Sequence, residues 1–153
     1  MSSEALVHEI GPGGSVDGDP AGVLGGKGAS IVELRETGFP VPEGFVLTTE
    51  AYHSFVQQAG IAPDLAAALD FDSPDPDPDA LAEAGREARD LVRNASLPSE
   101  HVEAVTEAYA GMGAPRVAVR SSATDEDGAD ASFAGQQETY LAVEGAEAVL
   151  QRV

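Results

Sequence analysis

The chain has 153 residues, 42% of them hydrophobic, with no cysteine and with 27 acidic residues against 8 basic ones, for a formal net charge of −19. That length suits one domain able to bury about 70% of the surface its unfolded form exposes. No apolar run is long enough to span a bilayer, the polar start Met1 to Glu9 carries no secretory signal, and the charge argues against nucleic acid, so a cytoplasmic protein with no nucleic-acid or membrane partner is expected.

Without cysteine there is neither a disulfide nor a thiolate ligand. A charge of −19 repels itself unless salt screens it, which points to a salt-adapted cytoplasm. A merely acidic protein with an acidic linker is the alternative. Lys27 is the sole lysine, and it stands inside Gly25-Gly26-Lys27-Gly28.

Val7 to Ile10 reads as a short strand, and the Gly11 to Gly14 cluster breaks it, leaving residues 1 to 24 as an ordered edge followed by a loop. Ala29, Ile31, Val32 and Leu34 give a helix over 28–36, which Gly38 and Pro40 end. Phe45 to Leu47 reads as a strand. Thr48 or Thr49 then caps a helix to about Ala59, with Tyr52, Phe55 and Val56 as its inward stripe. Pro63 to Leu69 gives a helical turn or two.

The alternating Asp and Pro of residues 72–79 favour extended chain, read here as a surface connection inside one domain covering 1–153. Residues 80–94 carry Leu81, Ala84, Ala88, Leu91 and Val92 at helical spacing. A second helix begins near Pro98, with Val102, Val105 and Tyr109 inward. Val117 to Arg120 and Thr139 to Val143 are strand-like runs on either side of a loop of small polar residues, and Gly145 to Val153 begins a further helix.

Two places look built for an oxyanion. Lys27 lies between glycines at a helix start, where backbone can approach a ligand and the helix dipole adds to the ammonium charge. Gly-Gly-Lys-Gly also describes an exposed turn and lacks P-loop spacing. Arg120 ends a strand beside Ser121 and Ser122, so its guanidinium can grip phosphate oxygens bidentately, an ordinary ion pair being the bland reading. Gly135 permits close backbone approach and Thr139 offers a hydroxyl; Ser122, Gln136 and Gln137 are supporting or purely structural. Asp125, Glu126 and Asp127 read as a solvated turn, with no metal assigned.

Residues 25–56 and 117–143, with a weaker likeness over 97–115, resemble the ATP-binding domain shared by phosphoenolpyruvate synthase (pyruvate, water dikinase), pyruvate phosphate dikinase and rifampicin phosphotransferase. The resemblance implies an α+β fold, the N-terminal lobe of an ATP-grasp-like nucleotide-binding domain. It implies ATP contact by Lys27 and Arg120, with Gly135 and Thr139 in a loop over the phosphates. Mg would be held by carboxylates outside this chain.

Arg120-Ser-Ser-Ala-Thr124 followed by Ala134-Gly-Gln-Gln-Glu-Thr139 is the water-dikinase and rifampicin-phosphotransferase form rather than the phosphate-dikinase form. His8, His53 and His101 do not resemble the family's phosphocarrier histidine, which sits in a separate domain. The implied activity is that of a dikinase in which ATP phosphorylates an enzyme histidine that passes phosphate to pyruvate. A rifampicin-phosphotransferase-like antibiotic kinase and a standalone or remnant nucleotide-binding module are the alternatives. The second lobe and histidine domain lie beyond Val153 or in a separate chain, so these 153 residues are expected to be inactive alone.

Overall fold

The computed structural model describes residues 6–11, 16, 18–71, 75–124 and 138–153. These form an α+β structure whose elements run β1 (Val7–Ile10), α1 (Pro20–Glu36), β2 (Gly44–Leu47), α2 (Thr49–Gln58), α3 (Ala62–Ala68), α4 (Pro78–Asn94), α5 (Ser99–Gly111), β3 (Val117–Arg120), β4 (Thr139–Val143) and α6 (Ala146–Leu150). The chain divides into two compact units, Met1–Tyr52 with Ser99–Val153, and His53–Pro98.

The first unit holds both strand pairs. β1 and β2 run antiparallel with Val7 opposite Leu47 and Ile10 opposite Gly44. β3 and β4 run antiparallel with Val117 opposite Val143, Val119 opposite Tyr140 and Arg120 opposite Thr139. Two residues of β4, Leu141 and Ala142, therefore oppose the single Ala118, which makes a bulge. Ala142 absorbs it with a φ of +57°.

Three apolar clusters hold this unit together. Ile10, Leu24 and Val32 join β1 to α1, and Leu6, Ala51 and Ala104 join the first turn of α2 to α5. Val105, Tyr109, Val143 and Val149 join α5 to β4 and α6, with Phe45, Val117 and Val119 packed against them.

Tyr109 is 2% exposed, and its hydroxyl donates to Pro115 O at 2.8 Å while accepting from Gly145 N–H at 3.0 Å. One side chain thus fixes both the approach to β3 and the start of α6. Tyr109→Phe leaves both backbone groups unpartnered and is expected to lower stability by about 1–3 kcal/mol in denaturant titration.

Polar capping sets several boundaries. Thr48, rather than Thr49, caps α2: its hydroxyl accepts from Ala51 N–H at 3.2 Å, and its own N–H donates to Leu6 O at 3.0 Å. Thr49 donates to Gly22 O at 2.8 Å instead. The face of α2 turned inward carries Ala51, Ser54 and Phe55, whereas Tyr52 is 52% exposed. The expected stripe of Tyr52, Phe55 and Val56 is one residue out of phase, because both sets satisfy the same i, i+3, i+4 spacing.

α1 starts eight residues before the expected helix. Asp19 accepts from Ala21 N–H at 3.2 Å, and Pro20 occupies the first turn, a combination that overrides the glycines behind it. In the second unit, α3 packs along α4. The end of the Asp/Pro stretch, expected to be wholly extended, instead starts α4. Asp77 is the cap, accepting from Asp79 N–H at 3.2 Å and Ala80 N–H at 3.4 Å, with Pro78 in the first turn. Ala84 is buried on α4, whereas Leu81, which shares its helical spacing, is 52% exposed in the helix's first turn.

Candidate functional site

The glycine-lysine segment and the arginine-serine segment, nearly a hundred residues apart in sequence, meet in the first unit. α1 is broken at Gly25, whose φ of +72° and ψ of 169° lie in a region that only glycine enters readily. A second helical segment restarts at Gly26, with Gly25 in the cap position and no side chain to do the capping. Ser122 supplies that function from across the fold. Its hydroxyl accepts from Gly28 N–H at 3.2 Å and donates to Leu24 O at 3.0 Å, bridging the break.

Beside it, Gly26 N–H donates to Ala123 O at 2.8 Å. A Cβ on Gly25 would overlap the Ser122 hydroxyl and lie 3.0 Å from Ala123 N. A Cβ on Gly28 would lie 2.8 Å from Leu24 Cβ and 3.4 Å from Val46 Cγ1. The glycines therefore admit another stretch of the same chain. Two of the N–H groups at the start of the second segment are answered by Ser122 and Ala123, and with them part of the positive end of that segment's dipole.

Lys27 lies between those two donors and is half-buried. Arg120, exposed, is the last residue of β3 and stands two residues before Ser122. Its cross-strand partner is Thr139, also exposed, and residues directly opposite in an antiparallel pair share a face about 5 Å apart. The ladder continues where Ser121 N–H donates to Glu138 O at 3.4 Å. Arg120 and Thr139 are thus brought together by register, and Lys27 is tied to the same loop through its glycine neighbours.

Gly135, Gln136, Gln137 and the acidic run Asp125 to Asp127 lie outside the described residues. Among the described residues no three His, Asp or Glu side chains converge as a metal site would require. The sequence reading missed the weight of Gly25 and of the Ala123 carbonyl. A Gly-Gly pair interrupting a helical run was the available signal, but it does not name the segment that fills the gap.

A lysine, an arginine and a threonine on the segments joined at this loop are residue types suited to a polyphosphate. The chain is 42% identical over 140 residues to the probable phosphoenolpyruvate synthase of Methanocaldococcus jannaschii, covering 86% of this chain and 11% of that one. It is 45% identical over 139 residues to the phosphoenolpyruvate synthase of Deinococcus radiodurans, covering 86% and 17%.

The phosphoenolpyruvate synthase of Escherichia coli is 43% identical over 138 residues, covering 85% and 17%. The chain therefore spans less than a fifth of the length of these three relatives. The family described as "Pyruvate phosphate dikinase, AMP/ATP-binding domain" matches residues 21–153. With that match over most of its length, the chain belongs to the pyruvate phosphate dikinase AMP/ATP-binding domain family.

Proposed function

We propose that this chain is the ATP-binding part of a phosphoenolpyruvate-synthase-like phosphotransferase and contributes one lobe of an ATP-grasp-like nucleotide site. The observation that carries the reading is the joint at Ser122, which ties the segment of Lys27 to the segment of Arg120. Lys27 and Arg120 neutralise phosphate oxygens, and Thr139 adds a hydroxyl from the strand opposite Arg120. In this reading Gly135 also contacts the phosphates, with Gln136 and Gln137 in support.

In this reading Mg is held by carboxylates elsewhere in a longer protein or in a separate chain, and no step is assigned to it here. The same source provides the second lobe and the histidine that relays phosphate to pyruvate. The relatives' names favour this activity over phosphorylation of an antibiotic and over a solitary module. No helix of the described residues is long and apolar enough to cross a membrane, and a cytoplasmic setting goes with this reading.

The test is calorimetric titration of Mg-ATP into the chain in molar KCl, a medium chosen because the −19 charge reads as salt adaptation. Saturable binding is expected, and Arg120→Ala is expected to weaken it by about ten- to a hundredfold, the loss of a charge-assisted contact. A folded chain that binds no Mg-ATP would overturn the reading. The 153 residues alone are expected to show no pyruvate-dependent ATP consumption in a coupled assay, and measurable turnover would contradict the need for a further lobe.

A further inference from the structure

We infer that Ser122 is a positioning residue for the nucleotide phosphates, acting through Lys27; this rests on the ATP reading above and names how its two charged groups are held together. The helical segment carrying Lys27 begins at a glycine that has no side chain with which to cap it. An N-cap serine ordinarily accepts from the second or third N–H of its own helix. Ser122 does this for a helix about a hundred residues away, accepting from Gly28 N–H at 3.2 Å, and its proton goes to Leu24 O at 3.0 Å on the far side of the break.

Rotation of the second segment about the break would part Gly28 N–H from Ser122 and Gly26 N–H from Ala123 O, and would carry Lys27, which lies between those two glycines. Ser122 is also two residues from Arg120 on the same chain. The Ser122 hydroxyl, together with the Ala123 carbonyl on Gly26 N–H, therefore fixes the direction of the lysine's segment relative to the strand that ends in the arginine. Glycine at 25 is part of the device, because any Cβ there would take the space of the Ser122 hydroxyl.

A serine that merely stabilised the fold would lower the melting temperature and leave the contribution of Lys27 intact. A positioning serine makes that contribution depend on itself. The experiment is a double-mutant cycle on Mg-ATP affinity with Ser122→Ala and Lys27→Ala, in molar KCl and well below the melting temperature of each variant. Ser122→Ala is expected to weaken binding about tenfold, and Lys27→Ala, costing about ten- to a hundredfold alone, is expected to cost about tenfold less in the Ser122→Ala background, so that the double variant binds about as weakly as Lys27→Ala alone. Additive effects would overturn the inference.

Because Lys27 is the sole lysine, reductive methylation with ¹³C-formaldehyde places one side-chain reporter in the protein besides the N-terminal amine. Its NMR signal is expected to move toward the free-lysine position in Ser122→Ala, and a signal unmoved in a folded variant would refute positioning without any nucleotide. This arm separates the two ideas. A wild-type chain that binds no Mg-ATP overturns the ATP reading, while the reporter still decides whether Ser122 holds Lys27. Should Ser122→Ala not fold, Ser122→Cys keeps the side chain's size with a much weaker acceptor, and the same cycle and signal are read there.

Discussion

Gly25→Ala is expected to lower stability by about 3–5 kcal/mol and to abolish Mg-ATP binding at any temperature where the variant is still partly folded. Three effects accumulate at this one position. The backbone conformation, φ +72° and ψ 169°, costs a non-glycine residue about 1–3 kcal/mol. The new methyl group overlaps the Ser122 hydroxyl and lies 3.0 Å from the backbone nitrogen of Ala123, so the loop after β3 must withdraw. Withdrawal then breaks the bonds to Gly28 N–H, Leu24 O and Gly26 N–H, each of which contributes about 0.5–1.5 kcal/mol.

Against a total stability of about 5–15 kcal/mol, such a loss leaves a marginal fold. Gly38→Ala separates backbone strain from lost contact: its φ is +87°, yet a Cβ there meets nothing within 4 Å. It is expected to cost about 1–2 kcal/mol and to leave nucleotide affinity unchanged. Chemical denaturation of the two variants side by side checks the ranking. Equal losses would mean that the joint with Ser122 contributes little.

This comparison also shows where the sequence is legible and where it is not. The strands ending at Leu47, Arg120 and Val143 and the helices over 80–94 and 99–111 follow from local apolar spacing, β-branched residues and the glycines and prolines that punctuate them. Where two local signals compete, the sequence misleads. Asp19-Pro20 starts a helix against the pull of four following glycines, and Asp77-Pro78 does the same at the end of a stretch that otherwise favours extended chain.

On α2 the ambiguity is one of phase. Large Tyr52 is the natural choice for the interior by residue type, but small Ala51 and Ser54 are the buried positions, and Ala51 packs with Leu6 and Ala104. The site itself is half legible. Lys27, Arg120 and Thr139 carry the chemistry a phosphate needs, and residue type announces that. That Gly25 exists to receive Ser122, nearly a hundred positions later, depends on a long-range contact that no local pattern encodes.

Lys27→Met is expected to raise the dissociation constant for Mg-ATP by about ten- to a hundredfold. Methionine keeps the length and apolar stem of lysine, and Lys27 is half-buried, so the substitution removes the charge with little change in packing. The fold-change corresponds to about 1.5–3 kcal/mol, the size of a hydrogen bond between an ionised donor and a phosphate oxygen. Lys27→Arg is not expected to restore full affinity, because a planar, delocalised fork does not reproduce a compact ammonium point charge.

The single lysine gives an independent reading of the same point. An acyl phosphate of ATP transfers its acyl group to an amine lying at the terminal phosphate, with ATP as the leaving group. In this chain, apart from the N-terminal amine, the product can form only at Lys27, so one peptide should gain the acyl mass and excess ATP should suppress it. If Lys27→Met binds Mg-ATP as tightly as the parent chain, the ammonium is not a phosphate ligand. The glycines around it would then serve the packing of the Ser122 loop alone, and phosphate recognition would rest on Arg120 and the residues beyond it.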